Sequence, residues 1–92
     1  MPLRRLQIVN EKGLHARASA RLVETVERFD ATATVRKDGL DASGDSIMGL
    51  LMLAASRGSF IEVETKGPEA EALSQAIADL VAFLRELDGG AR

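Results

Sequence analysis

The sequence contains no cysteine. Disulfides and thiolate-held metals are therefore excluded, and the absence fits a reducing, cytoplasmic setting. Tryptophan and tyrosine are also missing, and the aromatic side chains are Phe29, Phe60 and Phe83. A chain so poor in aromatics offers no platform on which nucleic-acid bases could stack. Neither sign of charge dominates: 12 Lys and Arg stand against 14 Asp and Glu, for a net charge of −2. The two signs are mixed along the chain, so a broad basic face for nucleic acid is not expected. No apolar run approaches the roughly 20 residues that span a bilayer. The segment Met1-Pro2-Leu3-Arg4-Arg5 is charged but lacks a following apolar stretch, so neither a signal peptide nor membrane insertion is predicted. The 92 residues predict a single domain over 1–92, large enough to bury well over half of its unfolded surface.

Hydrophobic periodicity supplies the outline. Residues 3–9 read as a strand, with Leu6 and Ile8 on one face and Arg5 and Gln7 on the other. A helix over about 16–29 follows, with Ala20, Leu22, Val23, Val26 and Phe29 on or near its apolar stripe. Residues 31–37 form the next strand, with Ala33 and Val35 opposed to Thr32, Thr34 and Arg36. Asp38-Gly39 is a strong two-residue hairpin signal, because a type I′ turn needs positive φ at both positions. A short return strand over 40–43 is then expected. Ser46 suits the N-cap of a second helix over about 47–53. A fourth strand spans 59–65, with Ile61 and Val63 inward. Pro68 and Glu69 favour the start of a last helix, whose buried stripe is Leu73, Ile77, Leu80, Leu84 and Leu87 and which Gly89-Gly90 stops. The order β-α-β-β-α-β-α, with one polar face per strand, predicts a two-layer α+β sandwich.

The one histidine of the chain, His15, falls at the first strand-to-helix junction, within Gly13-Leu14-His15-Ala16-Arg17. The free backbone N–H groups of a helix's first turn, here those of Ala16 and Arg17, favour an anion, as does the helix dipole. The Arg17 side chain adds a fork of charged donors suited to phosphate. Histidine, anion-binding helix start and arginine together point to a histidine that carries a phosphoryl group. The bland alternatives are a solvent-exposed histidine and a solvated first-turn charge. Arginine beside the positive end of a helix is mildly unfavourable, which favours a functional role. No metal cluster, nucleotide-binding loop or second catalytic base accompanies His15, so neither a cofactor nor a stand-alone enzyme is expected.

Gly13-Leu14-His15-Ala16-Arg17 resembles the phosphorylation motif of HPr, the histidine-containing phosphocarrier of the phosphoenolpyruvate-dependent phosphotransferase system. Ser46-Ile47-Met48-Gly49-Leu50-Leu51-Met52-Leu53 resembles the regulatory-serine segment of the same family, and the spacing between the two blocks agrees. The resemblance implies an HPr-like open-faced β-sandwich, a four-stranded antiparallel sheet with three helices on one face. It implies a carrier that accepts a phosphoryl group on Nδ1 of His15 from phospho-enzyme I and donates it to an enzyme IIA-type acceptor. It also implies a monomer, phosphate stabilisation by Arg17, and Ser46 as a target of HPr kinase/phosphorylase. Helix docking surfaces of the family correspond here to Ile47, Met48 and Leu51, with Leu50 and Leu53 left for the core.

Two positions depart from the family pattern. Ala18 stands where proline usually follows the arginine, and Ala54 where a glycine is common after the regulatory helix. The Ala16-Arg17-Ala18-Ser19 form looks more like HPr proteins of alphaproteobacteria, whose relay often serves a nitrogen-related regulatory branch rather than sugar uptake. The competing reading is a non-catalytic HPr-like module controlled through Ser46. His15 with Arg17 weighs against it, since purely regulatory relatives lack the histidine.

Overall fold

The computed structural model describes residues 2–90; Met1, Ala91 and Arg92, which the single-domain reading includes, lie outside them. The elements are β1 (Leu3–Gln7), α1 (Ala16–Glu27), β2 (Thr32–Lys37), β3 (Leu40–Ser43), α2 (Ile47–Met52), β4 (Phe60–Lys66) and α3 (Ala70–Arg85). The four strands form one antiparallel sheet in the order β1-β4-β2-β3. Alternation along the strands aims Leu6, Ala33, Val35, Ala42, Ile61 and Val63 into the core. The helices bring Leu22, Val26, Leu50, Leu73, Ile77 and Leu84 to meet them. The other sheet face is open to solvent and carries Arg5 4.0 Å above the Phe60 ring, a cation–π contact. Among the described residues no helix is long and apolar enough to cross a membrane.

The β2–β3 hairpin turns at Asp38 and Gly39, with φ of 53° and 82°, the geometry its two residues foreshadow. Four expectations need correction. The first strand ends at Gln7, because Ile8 meets two residues of the 56–59 loop, donating to the Ser59 carbonyl and accepting from Gly58 N–H, which breaks the one-to-one pairing. The stripe of α1 is centred on Ala18, Leu22, Thr25 and Val26, with Ser19 and Val23 beside them, and Ala20 is only half-buried. On α3, Val81 joins the buried set, while Leu80 and Leu87 pack at its margin. The glycine pair does not stop α3. The helix changes at Glu86 into a single wide turn of π type that runs to Gly90. Such turns re-aim side chains within a helix and recur at functional sites.

Candidate functional site

His15 is itself the N-cap of α1. Its backbone is extended, at φ −78° and ψ −178°, and its carbonyl accepts the first helical bond from Ser19 N–H at 2.8 Å. In place of the usual serine or aspartate oxygen, the ring Nδ1 faces the first-turn donors. It lies 3.2 Å from the N–H nitrogen of Arg17 and 3.4 Å from that of Ala18. The donors meeting the ring are thus the second and third helical N–H groups, one residue later than the Ala16 and Arg17 pair expected from sequence. Ala18 is where the family usually has proline, so one of these donors exists only because of that departure.

The other ring nitrogen is held from the far end of the chain. Nε2 lies 2.8 Å from Oδ1 of Asp88, on the wide turn after α3. The second oxygen, Oδ2, accepts from Lys12 N–H at 2.7 Å and from the Asn10 amide at 2.9 Å. Asn10 is fully buried and also donates to the Gly13 carbonyl at 2.8 Å. Its own Oδ1 has no partner among the described residues, a cost of about 1–3 kcal/mol accepted in aiming both amide protons. The His15 side chain remains 24% exposed whereas that of Asp88 is 6% exposed. Burial alone would raise the Asp88 carboxyl; the Lys12 N–H, Asn10 and His15 outweigh it, and the carboxyl sits below its ordinary value.

The hydrogen bonds also assign the imidazole tautomer. Nδ1 faces two N–H groups, so it presents a lone pair. Nε2 faces an oxygen that belongs to a carboxylate, so it carries the proton. Asp88 and Asn10 are absent from the sequence-derived site. Asn10 left a faint signal in Asn10-Glu11-Lys12-Gly13, where an asparagine side chain can organise its own loop. Asp88 left none, because 73 residues separate it from His15.

The loop before His15 is fixed by close packing. Gly13 has φ +65°, and a Cβ there would collide with the Ala55 carbonyl oxygen. The same oxygen accepts from Leu14 N–H at 2.8 Å. The segment leaving α2 therefore braces the His15 loop. Ser46 caps α2, its Oγ accepting from Gly49 N–H at 3.0 Å. Leu50 and Leu53 are buried, and Ile47 and Met48 are exposed, at 40% and 71%. Leu51 is half-buried, and Met52, outside the trio expected to dock partners, is 73% exposed. The Arg17 side chain lies on the exposed face of the first turn.

An open-faced sandwich with a histidine at the mouth of its first helix defines the class of small phosphocarriers. The family model for the PTS HPr component phosphorylation site matches residues 3–83. The chain belongs to this HPr family. It is 42% identical over 76 residues to phosphocarrier protein HPr of Neisseria meningitidis, covering 83% of this chain and 85% of that one. It is 44% identical over 75 residues to phosphocarrier protein NPr of Escherichia coli, covering 79% and 83%. Among solved structures, an HPr of Thermoanaerobacter tengcongensis superposes with a TM-score of 0.87 at 32% identity, over 92% of this chain and 96% of that one. A phosphocarrier protein HPr of Bacillus anthracis gives 0.82 at 37% identity, over 86% and 94%.

Proposed function

We propose that this protein, acting in the cytoplasm as one HPr-like domain over residues 1–92, shuttles a phosphoryl group on His15. It takes the group from phospho-enzyme I, charged by phosphoenolpyruvate, and gives it to an enzyme IIA-type acceptor. The observation that carries this reading is a partly exposed His15 at the N-terminus of α1, with its Nδ1 turned to the first-turn N–H groups. Attack by Nδ1 on phosphorus breaks the donor–phosphorus bond and forms an N–P bond. The incoming anion then lies against the first-turn N–H groups, where a helix end stabilises it by about 0.3–1 kcal/mol and up to ~2 when partly buried. Arg17 adds a charged hydrogen bond of about 1.5–3 kcal/mol. Terms of this size orient the group without trapping it, as a relay requires. His15 is a covalent waystation between two enzymes, and no metal or cofactor enters the step.

Ile47, Met48 and Leu51, with Met52 added by its exposure, form an adaptable apolar docking patch. HPr and NPr relatives match at near-equal identity, 42% and 44%, so the acceptor is defined by class rather than by the sugar or nitrogen branch. Ser46 lies next to this patch, and a phosphate there, added by HPr kinase/phosphorylase, would place about −2 charge on the docking face. Incubation with ATP and that kinase should then add one phosphate, and a mass unchanged after treatment would remove Ser46 from the scheme.

The test of the carrier role is incubation with phosphoenolpyruvate, magnesium and enzyme I. An acid-labile gain of one phosphoryl group is expected, and His15→Ala should abolish it. No gain, with an enzyme I active on its own partner, would favour the non-catalytic module controlled through Ser46.

A further inference from the structure

We propose that Asp88 is a positioning residue that holds the proton of His15 on Nε2 and so leaves Nδ1 as the nucleophile. The first half of this proposal, the tautomer, stands on geometry alone. The second half, its use in transfer, rests on His15 being the phosphoryl acceptor.

Among the described residues the Asp88 carboxylate meets three donors and no acceptor. Oδ1 faces His15 Nε2 at 2.8 Å, and Oδ2 takes the Lys12 N–H at 2.7 Å and the Asn10 amide at 2.9 Å. Lys12 N–H and the Asn10 amide cannot lose their protons, so they hold the carboxylate in its acceptor form independently of His15. A proton on Nδ1 instead would confront the N–H groups of Arg17 and Ala18 and leave Nε2 and Oδ1 as two opposed acceptors. Both sides of the ring therefore select one tautomer. A carboxylate that orients a reactive imidazole and fixes its tautomer is a recurrent device.

The arrangement also serves the transfer step. When Nδ1 gains the phosphoryl group, the ring keeps its Nε2 proton and takes on positive charge. That charge appears directly opposite the Asp88 carboxylate, in a pocket where this side chain is only 6% exposed. When the group leaves, the electron pair of the N–P bond returns to Nδ1, and the proton again stays on Nε2. No proton needs to enter or leave the site in either direction. Asp88 thus favours phosphorylation at Nδ1 over Nε2, which it occupies.

The test uses the full chain labelled with 15N-histidine. Long-range 1H–15N spectra above the titration of the imidazole report the tautomer without any partner enzyme. Wild type should show the Nε2–H form in large excess, and Asp88→Ala and the near-isosteric Asp88→Asn should cut that excess by about tenfold, the value of a hydrogen bond to a charged group. Asp88→Glu should restore part of it. Backbone amide positions in the same samples report whether each variant is folded, and Asp88→Glu separates loss of the carboxylate from loss of packing. After phosphorylation, one-bond 31P–15N coupling should lie on Nδ1 alone in wild type and be shared with Nε2 in Asp88→Ala. A folded Asp88→Ala protein with the wild-type tautomer ratio and coupling on Nδ1 alone would overturn the proposal, as would an Nδ1–H tautomer in wild type. A wild-type protein with the expected tautomer that enzyme I fails to phosphorylate would instead support the first half and overturn the carrier reading.

Discussion

Single side chains decide how the site is tuned. Ala54 follows the last turn of α2 at φ 51°, a left-handed conformation that costs a residue with a Cβ about 1–2 kcal/mol. Glycine is the usual occupant of such a position after a helix. Part of the gain from glycine is offset by its freer unfolded chain. We expect Ala54→Gly to stabilise the protein by about 0.5–1 kcal/mol, read as a higher melting temperature; a lower one would show that the surrounding loop has relaxed to suit alanine. At Ala18 the expectation is different. Proline is tolerated in a first helical turn but has no N–H. Ala18→Pro should change stability by less than about 1 kcal/mol while removing the 3.4 Å donor to Nδ1, visible as a shifted Nδ1 resonance. Arg17→Ala should slow phosphoryl transfer by about 10- to 100-fold, the value of one charged hydrogen bond, and leave His15 able to accept. Unchanged rates in both directions would remove Arg17 from the mechanism.

At the scale of elements, α2 has one turn and a half, so its cap matters more than it would on a long helix. Ser46→Ala should destabilise the protein by about 1 kcal/mol, measured by denaturant unfolding, and a neutral result would show that tertiary contacts alone hold α2. What the sequence made legible follows the range of the forces involved. The Asp38-Gly39 hairpin, the Ser46 cap and the inward faces of β2 and β4 are written in neighbouring residues, and they appear where expected. The shift of the α1 stripe onto Ala18 and Thr25 was hidden, because small and hydroxylated residues can be buried wherever a close helix neighbour selects them. The wide turn at Glu86–Gly90 was hidden for a related reason. Glycines after a helix signal termination locally, whereas the contacts that the turn makes, Leu87 against the core and Asp88 with Asn10, Lys12 and His15, come from residues far off in sequence. The histidine and its helix were readable from adjacent residues; the carboxylate behind it was not.

For the whole molecule, the same carboxylate links the last turn to the loop between β1 and α1. Its pKa lies below the ordinary aspartate value because the folded state supplies N–H donors that outweigh its burial. The unfolded chain therefore binds a proton here more readily than the folded one. The resulting stability is fully present above the usual aspartate range near pH 4 and is lost as pH falls below it through the lowered folded value. Unfolding measured across that interval should show a shallower acid loss for Asp88→Asn than for wild type; identical slopes would mean that other carboxylates carry the acid sensitivity.

The 73-residue span between His15 and Asp88 also sets an order of events in biosynthesis. A ribosome finishes the histidine and the helix it caps long before it makes the residue that faces Nε2. Through most of synthesis the imidazole therefore lacks the carboxylate that faces Nε2, and only the first-turn N–H groups of α1 are there to bias its proton. Asp88 adds its hold only when α3 has been translated and has closed over the sheet.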